Sequence, residues 1–134
     1  MEPAIFDTTF WIDFINGVDN RQTQLLEQTI SQHPDFVLIT PTTLQEILQG
    51  LRTEADFNRI KTILDSFRML SPDWPTVSVE AARLYCTLRK KGATIRKSTD
   101  CLIAQIALRF DVLLVHNDSD FDQISQHTPL RTWR

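Results

Sequence analysis

The sequence predicts an α/β domain built on a parallel sheet that helices cover on both faces. Two continuous apolar runs carry this prediction, "FVLI" at 36–39 and "VLLV" at 112–115. Such runs are typical of strands that are buried on both faces, because every side chain then meets a helix. Amphipathic segments with helical spacing separate the two runs, and strands that alternate with helices form parallel sheets.

The remaining strands and the first helix are predicted from shorter signals. Residues 3–7 form a short apolar strand that passes directly into a helix at residues 9–16. The irregular segment "RMLSPDWPTVSV" holds a short strand around either residues 69–70 or residues 76–77. The tail "LRTW" is typical of an edge strand.

Five further helices are predicted from apolar residues spaced three and four apart, which line one face of a helix. Proline suits the first helical position, so Pro41 marks the start of one of them. The last helix is apolar on nearly all sides, so it should lie at the centre of the domain. The five segments are residues 20–32, 41–50, 54–68, 79–91 and 99–110.

The composition is that of one globular domain covering residues 1–134. Hydrophobic residues make up 42% of the chain, which is enough for a real core. No apolar run approaches the roughly 20 residues of a membrane span. Cys86 and Cys101 fall within apolar helical patterns, so we expect reduced core thiols and a cytoplasmic protein, with a disulfide between them as the alternative. A net charge of −3 does not indicate a general nucleic-acid binder, so any RNA contact requires a local basic feature.

Four acidic residues occupy the points where predicted strands end or helices begin. Asp7 ends the first strand, and Glu46 lies in the helix after the second. Asp100 begins the buried helix, and Asp118 follows "VLLV" by three residues. Because the carboxyl ends of parallel strands share one edge of the sheet, the four carboxylates should meet there. Like charges this close repel unless a cation lies between them, and carboxylates without paired His or Cys favour Mg²⁺ or Mn²⁺.

Each of these acids also has a purely structural explanation. Asp7 could cap the helix that follows it, and Asp100 could complement a helix dipole. Asp118 could be an ordinary turn residue, and Glu46 could complete a capping box with Thr43. The metal hypothesis therefore depends on the joint position of the four acids at one edge of the sheet.

Four stretches resemble the PIN-domain family, and in particular the VapC-type toxins of bacterial toxin–antitoxin pairs. They read "DTTFWIDF" at 7–14, "LQEILQGL" at 44–51, "LRKKGATIRKSTDCLIAQIAL" at 88–108 and "LLVHNDSDFDQI" at 113–124, in the family's order and spacing. The resemblance implies a three-layer α/β/α fold with a central, mostly parallel five-stranded sheet. It also implies a Mg²⁺- or Mn²⁺-dependent endoribonuclease, a homodimer, and a cognate antitoxin that inserts into the acidic groove.

The resemblance implies a catalytic and metal-binding constellation of four acids: Asp7, Glu46, Asp100 and Asp118. We assign Asp7 and Asp100 as metal ligands, and the other two as further ligands or water-positioning groups, with either one or two ions. We predict Asp118 as the fourth acid because it lies nearest the strand end. The alternative is Asp120, whose carboxylate could instead cap a helix that begins near Phe121.

Neighbouring hydroxyl and imidazole groups belong to the same predicted site. Thr8, Thr9 and Thr99 could orient carboxylates or a metal-bound water, and local capping is the alternative role. The family usually has threonine where His116 stands. We expect the larger, ionisable histidine to change the geometry at this corner of the site.

Five of the chain's 14 basic residues lie within "RKKGATIRK", directly before Asp100. They are Arg89, Lys90, Lys91, Arg96 and Lys97. We expect them to flank the site and to hold RNA phosphates without reading base sequence. The alternative is a solvated helix end, whose cations the helix dipole favours.

Two other functions stay open at this point. The chain could be a stand-alone PIN nuclease without an antitoxin, or a module that binds RNA or metal and has lost its activity. Acidic residues at all four positions argue against the second. No motif distinguishes transfer, ribosomal and messenger RNA as the target.

Overall fold

The computed structural model describes residues 2–134 and contains one parallel sheet. Its strands are β1 Ala4–Phe6, β2 Val37–Ile39, β3 Arg68–Met69, β4 Leu113–Val115 and β5 Thr132–Trp133. They lie in the order β3-β2-β1-β4-β5, and each strand runs parallel to its neighbours. The predicted five-stranded sheet is confirmed, with β1 at its centre and the tail strand β5 at one edge.

Seven α-helices connect and cover these strands. They are α1 Thr8–Ile15, α2 Arg21–Gln32, α3 Pro41–Gln49, α4 Glu54–Leu64, α5 Trp74–Lys90, α6 Ser98–Phe110 and α7 Ser119–His127. A single 3₁₀ turn, Pro34–Phe36, leads into β2. Most bounds lie within one or two residues of the predicted ones, which is the ordinary uncertainty of a helix or strand end.

The sheet has one hydrophobic core on each face, because alternate residues of a strand point in opposite directions. Ile5 and Leu114 pack with α5, α6 and α7 on one face. Phe6 and Val115 pack with α1, α2, α3 and α4 on the other. The two cores confirm the three-layer α/β/α architecture.

The register of the central strands brings their carboxyl ends to one edge of the sheet. Ile5 aligns with Leu38 of β2, and Phe6 aligns with Val115 of β4. The backbone amide of Asp7 continues this ladder, donating to the carbonyl oxygen of Val115 at 2.9 Å. Residues that directly follow β1, β2 and β4 therefore lie side by side, as expected for the edge of a parallel sheet where ligands bind.

The helix predicted at residues 79–91 starts earlier than expected, at Trp74. Asp73 caps it by accepting a hydrogen bond from the backbone amide of Thr76 at 3.2 Å. Pro75 fits its first turn, where the missing amide proton costs nothing. The segment predicted to be irregular thus contains a helix start, and the alternative strand at 76–77 is wrong.

Three smaller expectations are also corrected. The helix predicted at residues 54–68 ends at Leu64, and the chain then enters β3 at Arg68. Cys101 is buried as expected, whereas Cys86 is exposed, so only one of the two free thiols belongs to the core. Within residues 2–134, no helix combines the length and the apolar character needed to cross a membrane.

Candidate metal and catalytic site

Asp7 lies at the carboxyl end of β1, directly before the first residue of α1. Its side chain is buried and forms no capping hydrogen bond to α1, which argues against a purely structural role. The hydroxyl of Thr9 donates to its Oδ2 at 3.3 Å. Burial raises the pKa of Asp7, and hydrogen bonds from Thr8 and Thr9 offset only part of that rise.

Glu46 reaches the same edge of the sheet from the second turn of α3. Its Oε1 accepts a hydrogen bond from the hydroxyl of Thr8 at 3.0 Å. The cap of α3 is Thr40, whose hydroxyl accepts from the backbone amide of Thr43 at 3.1 Å. Glu46 is therefore held toward α1 by Thr8 and is not the partner in a capping box.

Asp100 lies in the first turn of α6 and is only 4% exposed. Its Oδ2 is buried and has no hydrogen-bond partner among the described residues. Burial is the main cause that raises the pKa of Asp100 to about 8, with further contributions from Asp120, Asp7 and Asp118. In the absence of a cation this carboxyl group therefore tends to hold a proton at neutral pH.

Asp118 and Asp120 lie at the start of α7, beside Asp100. Asp118 is the cap of α7, because its Oδ1 accepts from the backbone amide of Asp120 at 2.9 Å. The helix begins at Ser119, close to the predicted start near Phe121, and the expectation that Asp120 caps it is wrong, because Asp118 is the cap. Asp120 is instead a buried residue of the first turn, only 1% exposed.

Arg96 contacts both of these acids from the loop before α6. Its Nη2 lies 2.7 Å from Oδ1 of Asp118, and its Nε lies 3.3 Å from Oδ1 of Asp120. Its backbone amide also donates to Oδ2 of Asp120 at 3.1 Å. From the sequence, Arg96 was predicted to contact RNA phosphate, and its ion pairs with Asp118 and Asp120 were not predicted. These pairs depend on the path of the loop before α6, which no sequence pattern indicates.

A cavity of about 230 Å³ opens beside Asp100, and neither Asp118 nor Asp120 is among its lining residues. Its lining combines three carboxylates, two hydroxyls and one cation with two further side chains: Asp7, Thr8, Thr9, Ile12, Glu46, Gln49, Lys97 and Asp100. Three of the four predicted acids therefore line one cavity. Asp118 is joined to them through Asp100.

The donor set fits a hard divalent cation. Ligand oxygens of Asp100, Asp118 and Asp120 lie within 4.8 Å of one another. The unpartnered, buried Oδ2 of Asp100 is the kind of oxygen that a cation would satisfy. Since every candidate donor is a carboxylate or hydroxyl oxygen, Mg²⁺ or Mn²⁺ suits this site better than a softer ion.

The basic cluster divides into residues that contact the site and residues at the end of α5. Lys97 lines the cavity, and its charge acts to lower the pKa of Asp7, although burial outweighs it. Arg89 lies over the ring of Tyr85, with 5.7 Å between its guanidinium carbon and the ring centroid. Lys90 and Lys91 are exposed at the end of α5. Of the three candidate hydroxyls, Thr8 and Thr9 contact site carboxylates, whereas Thr99 has no side-chain hydrogen bond among the described residues.

His116 is completely buried and shapes the loop that carries Asp118. Its Nδ1 accepts a hydrogen bond from the backbone amide of Asp118 at 3.1 Å, and its ring packs edge-on against Phe121. Burial lowers the pKa of His116, so the imidazole is neutral at pH 7. The histidine therefore acts as a hydrogen-bond acceptor for the loop, and not as an added charge at this corner.

The family assignment follows from a direct match to the sequence. A family model described as the PIN domain matches residues 4–126, which includes every acid described above. The chain belongs to the PIN-domain family. Within that family, the chain is 26% identical over 127 residues to VapC ribonuclease Mb1587 of Mycobacterium bovis, covering 95% of both chains. It has the same identity and coverage with Ribonuclease VapC11 of Mycobacterium tuberculosis.

Solved structures of toxin–antitoxin complexes contain the same PIN fold. VapBC2 from Rickettsia felis, bound to a promoter DNA fragment, aligns with a TM-score of 0.73 at 20% identity, over 97% of this chain and 96% of that one. VapBC-1 from nontypeable Haemophilus influenzae aligns with a TM-score of 0.72 at 20% identity, over the same shares of the two chains. At these identities the likeness supports the fold alone.

Proposed function

We propose that this chain is a divalent-metal-dependent endoribonuclease and the toxin of a toxin–antitoxin pair. The observation that carries the proposal is the convergence of Asp7, Glu46 and Asp100 on one cavity, with Asp118 adjoining it. Membership of the PIN family and similarity to proteins named VapC ribonuclease supply the reaction class. A toxin that acts on cellular RNA would work in the cytoplasm.

Asp7 and Asp100 would hold a Mg²⁺ or Mn²⁺ ion, with Glu46 and Asp118 as further ligands or as groups that position water. When bound, such an ion lowers the pKa of its water and stabilises negative charge on the phosphoryl oxygens. Thr9 fixes the orientation of Asp7, and Thr8 does the same for Glu46.

Positive side chains at the cavity would bind the substrate backbone. Lys97 lies closest, in the cavity lining, and Arg89, Lys90 and Lys91 extend the positive surface along the end of α5. Contacts of this type hold phosphates and carry no base preference, so they would position RNA at the site without selecting a sequence.

The proposed partners are a cognate antitoxin and a second copy of the chain. Ile12, Phe57 and Ile63 are large apolar residues that stay at least 36% exposed, on α1 and α4. Exposed apolar residues of this kind favour an interaction surface. Light scattering at micromolar concentration tests the homodimer, which requires about twice the mass of one chain.

A nuclease assay tests the activity. Purified protein is mixed with total RNA in Mg²⁺, in Mn²⁺ or in EDTA, beside the variants Asp100→Asn and Asp65→Asn. Asp65 is a matched control, because it is exposed and pairs with Lys61 at 2.7 Å, before β3. We expect cleavage by the wild type and Asp65→Asn with metal, and none by Asp100→Asn or in EDTA.

The alternatives give different results in the same assay. A binding module that has lost its activity leaves the RNA uncut in every lane. A stand-alone nuclease cuts RNA, but its gene has no small neighbouring reading frame whose product binds the protein and stops cleavage. Mapping the cleaved ends then identifies the class of RNA that is cut.

A further inference from the structure

Arg96 is a cation of this chain that pairs directly with carboxylates of the acidic site. Its guanidinium contacts Oδ1 of Asp118 and Oδ1 of Asp120, and both of these residues have oxygens within 4.8 Å of an Asp100 oxygen. The ion pairs therefore place one positive charge against the same carboxylate cluster that fits a divalent cation. This contact is separate from the lining of the cavity beside Asp7.

The two acids would keep their positions without the Arg96 side chain. Asp118 is fixed by its cap contact to the amide of Asp120 and by the bond from its own amide to His116. Asp120 is fixed by burial and by the backbone amide of Arg96, which any substitution other than proline retains. What the guanidinium adds is therefore mainly charge.

The Arg96 side chain can also leave without unfolding the site. It is 68% exposed, whereas the side chain of Asp120 is only 1% exposed. An arginine at the protein surface can exchange its partners for water, and Asp120 then keeps the hydrogen bond from the backbone amide of Arg96.

We propose that Arg96 is a built-in counter-ion that lowers the affinity of the acidic site for divalent cations. In the ion-free protein it neutralises part of the charge of the cluster, and an incoming dication meets both the neutralised carboxylates and a nearby positive charge. The inference rests on the proposed metal site and adds a residue that sets how much metal the protein needs. It separates Arg96 from the other basic residues, which we assign to RNA phosphate.

Titration of the purified, EDTA-treated protein with Mn²⁺ by calorimetry at pH 7.5 tests this role. Arg96→Gln removes the charge and keeps a polar side chain, and Arg96→Ala repeats the test without one. We expect both to bind Mn²⁺ about three- to tenfold more tightly than the wild type, since a unit charge a few ångströms away repels a dication even when partly screened.

Two control variants identify charge as the cause. Arg96→Lys keeps the positive charge, and its Mn²⁺ affinity should stay within about twofold of the wild type. Arg109→Gln removes an arginine that pairs with Glu80 at the opposite end of α6, and should leave the affinity unchanged.

The possible results separate this inference from the proposed function. Wild-type affinity or weaker binding in Arg96→Gln and Arg96→Ala would overturn the counter-ion role and leave the metal site standing. Equal tightening in Arg96→Lys or Arg109→Gln would also overturn it. A wild-type protein that binds no Mn²⁺ would overturn both this inference and the metal-dependent activity.

Discussion

Asp100 has two sets of acidic neighbours, and the two sets differ in the groups that surround their carboxylates. Toward Asp7 and Glu46, hydroxyl groups of Thr9 and Thr8 donate single hydrogen bonds, and a cavity of about 230 Å³ remains open. Toward Asp118 and Asp120, the chain supplies a guanidinium, a helix cap and a backbone amide.

This difference separates two kinds of acidic group. The acids on the cavity side have few internal partners, and burial raises the pKa of both Asp7 and Asp100, so a cation from solution has much to stabilise there. The acids on the Arg96 side already have partners within the chain. Asp100 takes part in both groups, so we expect it to be the most sensitive position of the site.

The largest expected effect is therefore the loss of Asp100. Asp100→Asn should lower metal-dependent cleavage by at least about 100-fold, because replacing even groups that only orient metal ligands costs 10- to 100-fold. Asp7→Asn should behave in the same way. Melting temperatures in EDTA at neutral pH should rise slightly for both variants, since a buried asparagine neither carries a charge nor has to take up a proton on folding. Cleavage near the wild-type rate by either variant would show that the acids are misassigned.

Substituting the two acids at the start of α7, Asp118 and Asp120, tests the carboxylates that pair with Arg96. Asp118→Asn keeps a good helix cap, so it should lower cleavage about 10-fold or more and change the melting temperature little. Asp120→Asn turns an amide NH2 group toward a donor of Arg96 at a buried position, because both carboxylate oxygens of Asp120 accept hydrogen bonds there, and it should mainly lower the melting temperature. A normally folded but inactive Asp120→Asn variant would make Asp120 the fourth acid.

The raised pKa of Asp100 predicts a pH dependence of the ion-free protein. Between the ordinary carboxyl pKa of 3.8 and the folded value of about 8, the folded protein binds more protons than the unfolded chain. The free energy of unfolding contributed by this group is therefore present at low pH and lost as the pH rises toward 8. The melting temperature in EDTA should fall by roughly 10 °C more between pH 5 and pH 8 for the wild type than for Asp100→Asn. Parallel curves for the two proteins would contradict the assignment of this proton to Asp100.

We expect the smallest effect on cleavage from substituting the hydroxyl groups that donate to Glu46 and Asp7. Thr8→Val leaves Glu46 without its hydrogen bond and should lower cleavage less than about 10-fold. Thr23→Val, which removes a hydroxyl from the capping contact with Asn20 at the start of α2, serves as a control for stability alone. An equal loss of cleavage in both variants would indicate a general effect of stability.

The buried strands and one edge of the site could be predicted from the sequence alone. The runs "FVLI" and "VLLV" predicted the buried strands, and the alternation with helices predicted the edge where Asp7, Glu46 and Asp100 meet. These inferences succeed because side-chain period and strand direction are local properties. In the helix that begins at Trp74, Asp73 and Pro75 did carry a start signal, but Pro72 directly before them made the segment look irregular.

The ion pairs of Arg96 with Asp118 and Asp120 could not be predicted in the same way. They depend on the path of the loop between α5 and α6, which brings residue 96 against residues 118 and 120. Neither spacing nor residue type distinguishes an arginine that binds RNA from one that binds an aspartate of the same chain. The burial and neutral state of His116 likewise depend on Phe121 and the packing of α7, which are tertiary contacts.

Anomalous diffraction from a crystal soaked in Mn²⁺ tests most directly the claim that Asp100 shares a cation with the cavity side. We expect a manganese peak within coordination distance of carboxylate oxygens of both Asp7 and Asp100, and we expect this peak to be lost in a crystal of Asp100→Asn. A crystal of the wild-type protein with no peak at these two residues, or with peaks only elsewhere on the surface, would contradict it.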